Sequence, residues 1–368
     1  MTPHQRMFAA IGGEPVDRLP FATYNCHGFG FGGHAGRAGY GPILEAVRRT
    51  GAGVLCKVSA RRIGGEWCRE EWSEQTEGSD RVTTRVLHTP AGPLRAVTRK
   101  PPDQPARCVE HFLKDDRDIE RFLSQRPGPV VCDADRLRAH CEEIGPHGVA
   151  YVGYHDPFGI VSGLFDQEDF LIRIHTDPDP IQTLLEWAFR WARDDLAALL
   201  EALSKTQVKV LLYCCGPEWA TPPLMPPEVF PRVVTPFQSR LVAMIHEHGR
   251  PASLHCHGRV RQVFGEVPRC GFDALEPIEP PDQGDISLAE LRAAAGDALC
   301  LMGYVQDQWF YTSTPQRIRR HLAEIVETIG RGTRFIATGT CTPFQFPPTP
   351  AYVANYVAFL EAAAELGA

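Results

Sequence analysis

At 368 residues, with 43% hydrophobic and 23% charged residues, the chain has the composition of a globular protein with an ample core. A formal net charge of −7, with no Lys/Arg run interleaved with aromatic residues, excludes an electrostatic footprint for nucleic acid. No apolar stretch is long enough to span a bilayer and the N-terminal MTPHQRMFAAIGGEPVDRLP carries no signal-peptide hydrophobic region, so the expected location is the cytoplasm, away from membranes.

Residues 3–13 read as a short amphipathic helix ended by Gly12 and Gly13, and LPFATYNCHG (19–28) as a first strand ending in Asn25, Cys26 and His27. The glycine-rich GFGFGGHAGRAGYG that follows lacks the Gly-Lys-Ser/Thr ending of a phosphate loop, and a mobile active-site loop is expected there. A helix over 41–50 and the strand GVLCKVSA (53–60) place Lys57 and Ser59 near a strand end.

From 66 to 99 the chain alternates polar and apolar residues with Pro90, Gly92 and Pro93 as turn signals, which predicts a β-hairpin or small antiparallel sheet as an excursion from the main fold. Two charged helices follow, in DDRDIERFLSQ and DADRLRAHCEEI.

From 148 onward strands and helices alternate. GVAYVGYHDP is a strand ending in Tyr154, His155 and Asp156; 179–203 is a long helix; KVLLYCCGPEW is a strand ending in Cys214, Cys215 and Glu218. EVFPRVVTPFQSRLVAMIHEHG reads as one helix before the strand PASLHCHG (251–258). GFDALEPIEP ends in Glu276 and Glu279, and ALCLMGYVQDQ in Gln306 and Asp307, with the helix ISLAELRAAAG between them. Pro315 opens a helix that Gly330 stops, RFIATGTC is the last strand, and Pro350 opens the terminal helix. About eight strands alternating with helices predict parallel strands with right-handed crossovers, closed as a single-domain (β/α)8 TIM barrel over residues 1–368.

In such a barrel the C-terminal ends of the strands converge on one mouth, where the chemistry of this fold resides. Alternation of side chains along PASLHCHG turns His255 and His257 the same way and Cys256 the other, where it packs as a small hydrophobe, and Gly258 allows a sharp turn after them. Two imidazoles and a thiolate suit a tetrahedral Zn(II) with one position open; Cys341, just past the last strand, is the expected third ligand, with Cys214, Cys215 and Glu218 as reserves.

Glu218, Asp156 and His155 are the candidate acid/base residues, and Asn25, His27, Lys57, Glu276, Asp307 and Trp309 the candidate contacts to a small-molecule substrate. Simpler readings stand beside these: Asp156 before Pro157 starts a turn, Glu276 and Glu279 cap loops, and each histidine is an ordinary packed one. Twelve cysteines without a C-x-x-C pair make neither a disulfide scaffold nor a zinc ribbon.

The opening RMFAAIGGEPVDRLP, the hairpin TPAGPLRAVTR, IHEHGRPASLHCHG, GFDALEPIEPPDQGDISLAELRAAAGDALCLMGYV and the TP-rich closing strand and helix together resemble the uroporphyrinogen decarboxylase superfamily, over nearly the whole chain. This superfamily of (β/α)8 barrels also contains zinc-dependent corrinoid-to-thiol methyltransferases. The tetrapyrrole-binding Arg-Gln-Ala-Gly-Arg-Tyr stretch of the true decarboxylases is replaced by YNCHGFGFGGHAGRAGY, and no aspartate matches their central carboxylate, so the methyltransferase branch is the one implied.

That branch binds zinc with a His-x-Cys pair at this strand end and a late Cys; carried over, these are His255, His257 in place of Cys, and Cys341. The resemblance implies transfer of a methyl or other one-carbon group to a thiol or small methylated substrate, with corrinoid as co-substrate and a corrinoid protein as partner; a homodimer is a separate expectation. The alternatives are a cofactor-free decarboxylase of a polycarboxylate, for which only Arg61 and Arg62 offer a cluster of cations, and a non-catalytic metal- or tetrapyrrole-binding protein.

Overall fold

In the computed structural model, which describes residues 1–60, 62–64, 69–102, 104–281, 283–330 and 334–367, the strands in chain order are β1 (Phe21–Tyr24), β2 (Gly53–Val58), β3 (Arg62–Gly64), β4 (Arg69–Glu77), β5 (Asp80–Thr89), β6 (Gly92–Lys100) and β7 (Arg107–Glu110). They continue as β8 (Val130–Cys132), β9 (Gly148–Tyr154), β10 (Val210–Cys215), β11 (Ala252–His255), β12 (Ala274–Ile278), β13 (Cys300–Val305) and β14 (Phe335–Gly339). Arg61 and Cys68 lie outside the described residues.

Eight of these strands close a parallel barrel in the order β1, β14, β13, β12, β11, β10, β9, β2, so the expected (β/α)8 barrel is the fold observed. Internal contacts gather the chain into two compact units, one of Met1–Arg61, Asp133–Tyr154 and Leu200–Ala368, the other of Arg62–Cys132 and His155–Leu199. The first holds all eight barrel strands. Its core is plugged from one end by the N-terminal helix Pro3–Gly12, whose Met7, Phe8, Ala10 and Ile11 pack with the inward Val149, Leu211, Cys300 and Ile336.

The helix begins where the sequence offers a capping box, with Thr2 accepting from the Gln5 amide and the Gln5 side chain returning to the Thr2 N–H. Close strand packing explains Gly148, where a β-carbon would come within 2.1 Å of the Val54 carbonyl oxygen.

The second unit contains a four-stranded antiparallel sheet, β4-β5-β6-β7, and the antiparallel pair β3 and β8. The sheet extends beyond the expected 66–99 excursion because β7 pairs with β6. Its edge strand β4, REEWSEQTE, is almost wholly exposed and heavily charged, which blunts an edge otherwise open to pairing with another chain. The short helices Pro157–Ser162 and Gln167–Thr176, also in this unit, were not anticipated by periodicity because each is too short for a clear pattern.

In the barrel unit, the single helix expected over 228–249 is two, Phe230–Val233 and Thr235–Glu247, since Pro236 has no N–H to continue the ladder. Among the described residues no helix is long and apolar enough to cross a membrane.

Candidate metal centre

Strand register builds the site. Cys215 of β10 is the partner of His255 of β11, and His255 is the partner of Glu276 of β12, so three side chains line up on one face across three adjacent strands. The residue before each alternates to the opposite face. There Cys214 Sγ accepts from Gln238 Nε2 at 3.0 Å, and Gln238 Oε1 accepts from the Tyr154 hydroxyl at 3.0 Å, all three buried. Of the two adjacent cysteines, Cys215 is the one that shares a face with His255 and Glu276.

Glu218 follows β10 in the 3₁₀ turn Pro217–Ala220. The ligand-capable atoms of Cys215, Glu218 and His255 lie within 4.8 Å of one another, the one such group of three found among the described residues.

His255 is buried, and its Nδ1 stands 2.6 Å from Glu276 Oε1. The same oxygen accepts from the Tyr151 hydroxyl at 2.5 Å and lies 3.4 Å from the Tyr24 hydroxyl. Complete burial would raise the Glu276 carboxyl, yet His255, Tyr151 and Lys57 hold it below the ordinary carboxylate value. A carboxylate only accepts, so His255 Nδ1 carries a proton toward it, which leaves Nε2 as the nitrogen available to a metal, the arrangement that orients a metal-binding imidazole.

Sulfur, nitrogen and oxygen donors fit tetrahedral zinc, whose bonds of about 2.0–2.3 Å need donors roughly 3.3–3.8 Å apart, a short closure from the spacing present. Three protein donors would leave one tetrahedral position open.

This trio differs from the expected His255, His257 and Cys341. Strand order is the reason: β10 is the immediate neighbour of β11, whereas β14, which precedes Cys341, is three strands away. His257 lies past the end of β11, its ring centroid 4.9 Å from that of His255, and its Nδ1 is 3.3 Å from Glu279 Oε1. Burial works against the His257 cation, but Glu279, with Glu276 and Glu218, raises its pKa above the usual imidazole value. The Gly258 amide donates to Glu279 Oε2 at 2.8 Å, and Gly258 has φ of 92°, the left-handed turn expected of it. The Cys341 thiol is pushed up by burial and by nearby Asp307, and donates to the Thr342 carbonyl at 3.4 Å.

The other expected residues separate into two groups. Lys57 stays in the barrel, its Nζ 5.0 Å from the Tyr24 ring centroid and 5.7 Å from that of Tyr213. Asn25 supports it by accepting the Lys57 amide at 3.1 Å from a φ of 51°. Asp307 is buried, accepts from the Tyr352 hydroxyl at 3.1 Å, and is pushed up to about 6 by burial.

His27 is packed inside the glycine-rich loop, with Nε2 3.2 Å from Cys56 Sγ and Nδ1 accepting the Phe29 amide, and burial with neighbouring His34 lowers it to about 4. Trp309 lies in the helix that follows β13. It sits two positions after Asp307 in the helix Asp307–Thr312, roughly 200° around the axis, and stacks edge-on against His321 at 4.2 Å.

In the second unit Asp156 is not a free acid: it caps the helix Pro157–Ser162 by accepting the Gly159 amide at 2.7 Å. His155 lies 3.8 Å from the buried Asp195, which also takes Arg62 Nε at 2.6 Å; burial lowers the His155 pKa. Tyr24, Tyr151 and Tyr213 escaped the sequence reading; a tyrosine amid aliphatic strand residues was the available signal, since its hydroxyl needs a partner inside a barrel.

No curated protein matches the chain in sequence. Among solved structures, a methyltransferase from Methanosarcina mazei superposes with a TM-score of 0.62 at 18% identity, covering 99% of each chain. D-psicose 3-epimerase from Clostridium cellulolyticum H10 gives a TM-score of 0.37 at 12% identity, over 63% of this chain and 81% of that one. The family model for uroporphyrinogen decarboxylase (URO-D) matches residues 102–365, and the chain belongs to that family.

Proposed function

We propose that the protein is a zinc-dependent transferase of a methyl or related one-carbon group, acting on a thiol or small methylated substrate, with Cys215, Glu218 and His255 as the metal ligands. The observation that carries this reading is the donor trio itself, backed by the Glu276 carboxylate that fixes the tautomer of His255. Zinc bound there supplies a Lewis acid that lowers the pKa of a substrate thiol and holds it ready for alkylation.

The chain's own contribution is positional. Glu276 holds the proton on His255 Nδ1, Tyr151 holds Glu276, and the buried chain Tyr154–Gln238–Cys214 fixes the strand that carries Cys215. Lys57 brings a positive charge to the barrel interior over Tyr24 and Tyr213. A corrinoid protein is one source of the methyl group. The rival decarboxylase reading would draw on Arg62 for carboxylate binding, but Asp195 already engages that guanidinium.

The test is metal content with activity. Wild type should carry about one zinc per chain, Cys215→Ala should lose it, and Cys341→Ala should keep it; methylcobalamin with a panel of thiols should then show demethylation only by the zinc-loaded forms. Zinc retained by Cys215→Ala, or lost from Cys341→Ala alone, would refute the ligand assignment.

A further inference from the structure

Trp309 and the helix Pro315–Ile329 frame a two-part cleft on the barrel unit, away from the donor trio. One part, about 460 Å³, is lined by Arg317 and Arg320; the other, about 390 Å³, is lined by Pro280, Pro281, Leu288 and Ile325. Trp309, His321 and Glu324 line both parts, with Glu324 Oε2 3.6 Å from His321 Nδ1. Each volume falls within the range of roughly 300–1,000 Å³ usual for small-molecule sites.

Helical spacing puts the cations there. Arg317, Arg320, His321 and Glu324 recur at intervals of three and four and share one face of the helix. Arg319, on another face, pairs with Glu361 and Glu365. Among the described residues neither Arg317 nor Arg320 pairs with a carboxylate, and the positive end of the same helix, capped by Thr314, adds to their field.

The aromatic wall is rigid: His321 Nε2–H donates to the Tyr304 carbonyl at 2.8 Å, and the indole of Trp309 meets the imidazole edge-on. The loop on the apolar side continues directly from Glu279, the carboxylate that holds His257, so this cleft and the metal-side loop share a segment of chain.

We infer that this cleft is a binding site for a small flat organic anion, its ring seated against Trp309 and His321 and its carboxylate held by Arg317 and Arg320. A guanidinium pair suits a planar oxyanion, and the proline- and leucine-lined part accepts the hydrophobic remainder. The site is independent of the metal reading.

Calorimetric titration of the full chain with 2-naphthoate and with its neutral counterpart 2-naphthalenemethanol tests it. The carboxylate should bind saturably at a single site and the alcohol about tenfold more weakly. The double variant Arg317→Gln/Arg320→Gln should reduce the carboxylate to the level of the alcohol, Trp309→Leu should weaken both, and zinc content should be unchanged throughout. Absence of saturable binding, equal affinity for the two probes, or binding that survives the double variant would overturn the inference.

Discussion

Replacing Glu276 by Gln tests the proposed metal centre most directly, because it alters no proposed ligand and little volume. Glu276 is fully buried and its Oε1 takes three neighbours: His255 Nδ1 at 2.6 Å, Tyr151 at 2.5 Å and Tyr24 at 3.4 Å. Glutamine keeps an acceptor oxygen but removes the negative charge, so the bond to His255 falls from a charge-assisted to a neutral one, about half as strong. The basicity of Nε2 falls with it.

Loss of such a supporting partner typically costs roughly 10–100-fold in metal affinity, about 1.4–2.7 kcal/mol. Competition with a chromophoric chelator at neutral pH measures this, with Glu279→Gln as the control: it disarms the partner of His257 and should leave zinc affinity unchanged. Wild-type affinity in Glu276→Gln, or an equal loss in Glu279→Gln, would refute the assignment of His255 with Cys215 and Glu218 as the ligand set.

Asp307 is pushed from 3.8 to about 6 by burial, so its ionisation opposes folding, and the stability it contributes as a neutral group is lost as pH rises through that window. Asp307→Asn, which keeps an acceptor for Tyr352, should gain stability relative to wild type by about 2 kcal/mol between about pH 4 and about pH 7 in urea titrations; a gap independent of pH would contradict this. Asp156→Ala should cost about 1 kcal/mol through loss of the helix cap, with most of it restored by Asn and turnover unaffected; a large fall in turnover would return Asp156 to catalysis. Gly148→Ala drives a β-carbon into the Val54 carbonyl and should destabilise by about 3 kcal/mol or more, visible as a drop in thermal midpoint; an unchanged midpoint would mean that the β2–β9 spacing is looser than described.

Much of the architecture was legible along the chain. Alternating strand and helix patterns specified the barrel, the helix Pro315–Ile329 begins and ends at its proline and glycine signals, and the His-Cys-His run marked a strand end. The sequence also named all members of the donor trio, with Cys215 and Glu218 as reserves to Cys341.

Choosing among them lay beyond it, because periodicity records which way a side chain points on its own strand but not which strand lies next to it. Closure of the barrel sets β10 beside β11 and β14 three strands off, which brings Cys215 to His255 and leaves Cys341 with Asp307. The same limit applies to residues with nearby partners: Asp156 spends its carboxylate on a helix end, His27 is buried against Cys56, and Trp309 turns outward one half-turn after Asp307. Sequence by itself determined the elements, their alternation and the donor chemistry of the strand ends. Tertiary structure alone decided which donors meet, since that depends on strand order and on competition from local hydrogen-bond partners.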